Sequence, residues 1–201
     1  MISIFIVIII FVIWLQYEIR KSKRMSEKSN EGYWDLETRA NQTRRVDISV
    51  LDYITVPVDI LPMSDHEDPE INICRDLIRQ LSGKKILNLT GITNTQLKLQ
   101  YGAANINQLT EYDGNYTSLV RTLQQWGERL YSHGFVSEAV AVLEYAVSIQ
   151  SDISKTYKLL ASIYMELKAP EKIDYLIEVL SGLKMLRKDL VIEDLNKIRS
   201  L

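Results

Sequence analysis

Residues 105–132 read NINQLTEYDGNYTSLVRTLQQWGERLYS, and their phase decides the fold class. Leu109, Tyr112, Tyr116, Leu119, Leu123, Trp126 and Leu130 recur at alternating spacings of three and four. That is the period of one helical face. Asp113-Gly114-Asn115 is the obvious place for a break, since a mid-helix glycine costs about 1 kcal/mol against alanine. A break resets the phase, and here the phase runs through. The spacing predicts one long helix from about Asn105 to Ser132.

On the N-terminal side, Asp68-Pro69-Glu70 supplies an N-cap, a first-turn proline and a first-turn acid, and Gly83 closes the segment. Ile71, Cys74, Leu77, Ile78 and Leu81 fall on one apolar stripe of that helix. A short helix follows Thr93 or Asn94, carrying Leu97, Tyr101 and Ala104. Residues 46–67 differ in character. Val46, Ile48, Val50, Asp52, Ile54 and Val56 alternate with period two until Pro57, and Pro62 keeps the next stretch extended. No second strand pattern exists to pair with it. An extended arm on a helical body is therefore preferred to an edge offered to a partner's sheet.

On the C-terminal side, residues 120–153 carry a recognisable register. Leu123, Trp126, Gly127 and Leu130 lie on the first helix, Gly134 in the turn, and Ala139, Leu143 and Ala146 on the second. This resembles the tetratricopeptide repeat, a 34-residue helix–turn–helix unit with the pattern W-x2-L-G-x2-Y, then A-x3-F, then P. Ser151 stands where the closing proline belongs. The small residues have a physical purpose: Gly127 and Ala139 let paired helices approach, and Ala146 leaves room for the next pair. One period later, residues 154–187 match again through Tyr157, Leu160, Ala161 and Tyr164. Lys168 there replaces the turn glycine, and Ile173, Ile177 and Leu180 replace the small–large–small pattern. Lys188 to Leu201 reads as a capping helix.

The first seventeen residues form the other distinctive segment. Met1 to Leu15 contain one polar side chain, Ser3, followed by Trp14 and Tyr17 near an expected headgroup belt and by Arg20, Lys21, Lys23 and Arg24. A signal peptide wants positive charge before the apolar run and small residues at its end, and neither is present. The reading is a transmembrane anchor over residues 1–17, with the N-terminus outside and the bulk of the chain cytoplasmic by the positive-inside rule. Residues 18–45 are polar without an apolar period and read as a flexible juxtamembrane tether. The arm occupies 46–67, and a helical repeat-like domain occupies 68–201. The expected fold is thus all-α: an N-terminal transmembrane helix and a cytosolic antiparallel helical-hairpin array.

Composition narrows the function. With 24 Lys and Arg against 26 Asp and Glu, the 201-residue chain carries net charge −2 and shows no nucleic-acid footprint. Its one cysteine, Cys74, lies on an apolar face and reads as a small buried hydrophobe. The two histidines, His66 and His133, fall in different loops. Asp65-His66-Glu67-Asp68 lacks metal-ligand spacing and is better explained by helix capping, while His133 can bond the last carbonyls of its helix. No catalytic set, metal site, phosphate loop or cofactor motif is expected.

What remains is a surface. The resemblance implies a concave peptide-binding channel lined by the exposed face of each first helix. Carried over by register, that face is Arg121, Gln124, Glu128, Tyr131, Lys155, Lys158, Ser162 and Met165. Three cations, an aromatic and a methionine suit an acidic or carboxylate-ended peptide, while a solvated helix face is the alternative. The expected function is a membrane-tethered scaffold or adaptor, a non-enzyme that binds a protein or peptide. The alternatives are a self-associating structural membrane protein and an enzyme whose site is scattered over the helices.

Overall fold

The computed structural model describes the backbone of residues 2–185 and 187–200; side chains are described for the same residues except 2–10 and 24–31. Eight α-helices and one 3-10 turn are present among them, and no strand. The all-α expectation holds. The chain divides into two compact units, Met1–Ile48 with Thr93–Ile106, and Ser49–Ile92 with Asn107–Leu201. These boundaries cut across the arm and the helical domain expected from sequence.

In the first unit, α1 (Ile2–Gln42) packs its C-terminal part on α3 (Asn94–Tyr101). Thr93 caps α3 through a reciprocal capping box with Gln96. Glu37 of α1 receives the Lys98 ammonium and the Thr95 hydroxyl (2.8 Å), which hold its carboxyl below the usual carboxylate range. Buried Asn105, in the 3-10 turn Ala103–Asn105, donates to the carbonyls of Val46 and Tyr101, both at 2.7 Å. It also accepts from Arg45 Nε at 2.9 Å. One buried amide thus satisfies three groups of a loop that has no ladder of its own.

The transmembrane expectation for residues 1–17 is overturned: no helix among the described residues is long and apolar enough to cross a membrane. The physical reason is length. An apolar run that ends at Leu15 gives about 22 Å of helix against a hydrocarbon core of about 30 Å, and charge begins at Glu18. The side chains of residues 1–10, which carry most of that run, lie outside the described residues. The flexible tether is corrected too, because α1 continues through it to Gln42. Its Glu, Lys and Arg are good helix formers, and extending an existing helix avoids the nucleation cost a separate segment would meet.

The second unit holds the main core. Asp68 caps α2 (Pro69–Ser82) by accepting the Glu70 N–H at 2.8 Å. Ile71, Cys74, Ile78 and Leu81 are buried as expected, but Leu77 is 42% exposed and Arg75 is buried in its stead. Arg75 turns inward to bind Asp65, Asp76 and the Ser64 carbonyl, thereby fixing the chain ahead of the helix. Residues 49–67 make no strand pairing, and the expected extended arm is interrupted by turns at 49–51 and 58–61, the second closed by Ile60 and Leu61 N–H donating to the Pro57 carbonyl. Val56 and Leu61 enter the core, whereas Val50 is 84% exposed because a turn at residues 49–51 breaks the alternation. The Tyr145 hydroxyl donates to the Thr55 carbonyl at 3.2 Å, and burial pushes that hydroxyl's pKa up to about 12.

The long helix is α4 (Ile106–Ser132), unbroken at Gly114. Leu109 and Tyr116 before and after Gly114 are both buried on one stripe, and that shared burial carries the helix through a single glycine. After it come α5 (Val136–Ser148), α6 (Ser154–Glu166), α7 (Lys172–Gly182) and α8 (Lys188–Arg199). Leu123, Trp126, Leu130, Ala139, Leu143, Ala146, Tyr157, Leu160, Ala161 and Tyr164 are all buried in one core. α6 packs on α5, α7 and α8, and α8 also packs on α7.

The turns repeat with the helices. At the end of α4, Gly134 is left-handed (φ 82°), with Phe135 N–H donating to Leu130 and Gly134 N–H to Tyr131. At the end of α6, 34 residues later, Lys168 is left-handed (φ 57°), with Ala169 N–H donating to Tyr164 and Lys168 N–H to Met165. Both are Schellman closures, and α5 ends the same way at left-handed Gln150 (φ 62°), with Ser151 N–H donating to Ala146 and Gln150 N–H to Val147. Lysine takes the same turn as glycine there, at the steric cost of a Cβ in the left-handed region.

Candidate functional site

The helices α4 and α6 carry the surface drawn from the sequence. Each buries one stripe and turns its other side outward. On α4, Leu123, Trp126 and Leu130 face the core, and Gly127 brings the backbone against Leu143 of α5. On α6, Tyr157, Leu160, Ala161 and Tyr164 do the equivalent. The residues between them are left for the opposite face.

Their fates differ. Arg121, Glu128 and Lys155 are exposed, while Tyr131, Lys158, Ser162 and Met165 are half-buried. Gln124 is buried and donates to the Glu128 carboxylate at 2.7 Å. The Tyr131 hydroxyl donates to Glu166 at the end of α6, and that carboxylate raises the phenol pKa. Lys158 pairs with Asp194 of α8 at 2.6 Å, holding the Asp194 carboxyl below its usual range. Ser162 spends its hydroxyl on the Lys158 carbonyl at 3.0 Å. Of the three cations taken as one set, Lys158 is engaged by the protein itself. Asp194 was not in the sequence-derived set, because the last helix was read as a cap.

Compared with protein-family models, curated proteins and solved structures, the chain finds no match.

Among the described residues, no group of three or more His, Cys, Asp or Glu is arranged to hold a metal ion. Cys74 is buried, and desolvation raises its thiol pKa, with the Asp68 charge adding to the effect. A neutral, enclosed thiol is a poor nucleophile. The polar cluster that sequence reasoning missed lies where the segment ahead of α2 meets the α4–α5 turn. The His66 ring stands edge-on to Phe135 at 4.5 Å, with Nε2 3.0 Å from Glu138 of α5. His133 Nε2 lies 3.3 Å from Asp68. Asn72 clamps the His66 backbone, accepting from its N–H at 3.0 Å and donating to its carbonyl at 2.7 Å. No periodicity announces such a cluster, since its members come from loops and helix ends far apart in the chain.

Proposed function

We propose that this protein is an interaction module that binds a peptide or protein segment along the outward face of α4, α6 and α8, in the manner of the tetratricopeptide-like repeats its sequence resembles. One observation carries the reading. The Tyr131–Glu166 and Lys158–Asp194 contacts link α4 to α6 and α6 to α8, so three successive first helices stand side by side along one face. Arg121 and Lys155 are exposed cations on that face, and an acidic segment is the complementary partner.

The test is a pull-down with the full chain, followed by titration of the recovered partner against Arg121→Glu/Lys155→Glu. Reversal of both charges should weaken binding by about tenfold or more, roughly 1.4 kcal/mol. Parent binding should also weaken as salt rises, because exposed charges are screened over about 8 Å at physiological ionic strength. Unchanged affinity and salt dependence would remove this face from consideration.

A second reading, of location rather than chemistry, rests on the exposed residues at the N-terminal part of α1. Phe11 to Leu15, Tyr17 and Ile19 are all exposed, and Arg20, Lys21 and Lys23 follow them. An apolar patch next to basic residues suits attachment to an anionic lipid surface. Vesicles containing phosphatidylserine should carry the full chain to the top of a density gradient. Trp14→Ser/Tyr17→Ser and Lys21→Glu/Lys23→Glu should each reduce the floated fraction. Parent protein that stays at the bottom would sink this reading and leave the peptide-binding one standing.

A further inference from the structure

One lysine of this chain rests on tyrosines instead of an acid. The Lys85 ammonium lies over two rings, 4.8 Å from the centroid of Tyr53 and 5.8 Å from that of Tyr112. The rings themselves meet edge to face, with centroids 5.7 Å apart and planes at 82°. They are two half-buried walls of a notch, and the exposed Lys85 is its occupant. Among the described residues Lys85 joins no ion pair, in a chain that carries 26 Asp and Glu.

Backbone bonds hold the walls. Ile54, next to Tyr53, donates its N–H to the Ile86 carbonyl at 3.0 Å, and Leu87 donates to the Tyr112 carbonyl at 3.2 Å. Asn115 of α4 donates to the Lys85 carbonyl at 3.0 Å, and the Leu89 N–H donates to Asp113 at 3.0 Å. Ile86 and Leu87 are themselves buried. None of these bonds uses the Lys85 side chain, so the rings keep their places without it.

A tyrosine face is negative, so a cation over two faces gains from both. A lysine ammonium suits that gain poorly, because it is compact and strongly hydrated. A methylated ammonium sheds water more easily and lays its methyl groups on the rings, which is why aromatic walls select it. We propose that the Tyr53–Tyr112 notch is a recognition site for a methylated ammonium group, with Lys85 a tethered stand-in that the ligand displaces. The stand-in shows the chemistry the notch takes: a positive charge at the end of an alkyl stem. Choline-type amines, methylated lysine side chains and phosphocholine headgroups all carry that group. Displacing an exposed side chain on its own flexible stem requires no movement of the backbone that holds the rings.

Tetramethylammonium chloride titrated into the full chain tests it, with the ring proton resonances of Tyr53 and Tyr112 followed at constant ionic strength. The parent should bind weakly. Lys85→Ala should bind about threefold more tightly or better, because the competitor for the rings is gone. Lys85→Met, which keeps the stem without the charge, carries the same comparison if Lys85→Ala folds poorly. Adding Tyr53→Leu or Tyr112→Leu to either variant should abolish the response, and sodium in place of tetramethylammonium should produce none. Choline, a trimethyllysine peptide and phosphatidylcholine vesicles then separate the sources, and one of them should bind about tenfold more tightly than tetramethylammonium. If none of the three exceeds it, the notch is not a recognition site. Rings that stay unmoved in both lysine variants, or a parent that binds as tightly as they do, would overturn the proposal.

Discussion

Gly127→Leu should lower the melting temperature by roughly 4–12 °C. A Cβ at position 127 would stand 2.6 Å from both Cγ and Cδ2 of Leu143, closer than side chains approach. Leu143 is fully buried on α5, so it cannot swing into solvent to make room. Overpacking of this kind reaches about 3 kcal/mol where the neighbour cannot yield, and the better helix propensity of leucine offsets at most about 1 kcal/mol of it. For a chain of this size each kcal/mol moves the transition by roughly 2–4 °C. The decisive comparison lies on the same helix. Nothing stands within 4 Å of a Cβ at Gly114, so Gly114→Ala should gain up to about 1 kcal/mol from propensity alone. Leu143→Ala should also recover part of the Gly127→Leu loss, because the two residues share one space. Thermal melts monitored by circular dichroism read all three. If Gly127→Leu melts with the parent, α4 and α5 do not approach as described.

That glycine was legible from the sequence because its signal is periodic. Gly127 sits between Trp126 and Leu130 in a phase fixed by seven apolar residues, and a small residue at that register means close helices. The same phase argument carried α4 through Gly114, and capping chemistry gave the starts of α2 and α3. What failed was the reading of segments whose structure is decided elsewhere. The polar stretch after Leu15 has no apolar period, yet it is helical, because helix propensity and an existing helix suffice without a buried face. The membrane-spanning expectation weighed flanking charge and under-weighed length. Leu77 and Arg75 exchanged places because the acids of the preceding loop drew the guanidinium inward.

The site was less legible than the fold for a related reason. Register placed Arg121, Glu128 and Lys155 on an exposed face, but it could not show that Lys158 is paired with Asp194 or that Gln124 turns to Glu128. Those pairings depend on which helices become neighbours. The two histidine–carboxylate contacts are harder still: Asp68 was correctly read as a cap, and capping uses only one of its two oxygens. Its second oxygen is available for a partner that only tertiary packing supplies.

Gly102→Ala should be the most damaging single-methyl change in the first unit. Gly102 has φ 87° and ψ 143°, a conformation that an L-residue adopts at a cost of about 1–3 kcal/mol. Space adds to conformation. A Cβ there would lie 2.3 Å from the Arg44 carbonyl oxygen, 2.7 Å from its carbon and 2.8 Å from the Arg45 Cα. All three are backbone atoms, so no rotamer change relieves the overlap, and the loop itself has to move. That loop is held by the Val46 N–H donating to the Tyr101 carbonyl at 3.0 Å and by the bonds to Asn105. Moving it strands the buried Asn105 amide, which costs a further 1–3 kcal/mol or so. A loss of about 3 kcal/mol corresponds to roughly a hundredfold change in the opening equilibrium. Hydrogen exchange at the Val46 amide and along α3 should accelerate by about that factor in Gly102→Ala, while amides of α6 keep their protection. Parent-like exchange at Val46 would mean that the Arg44–Gly102 approach does not exist as described.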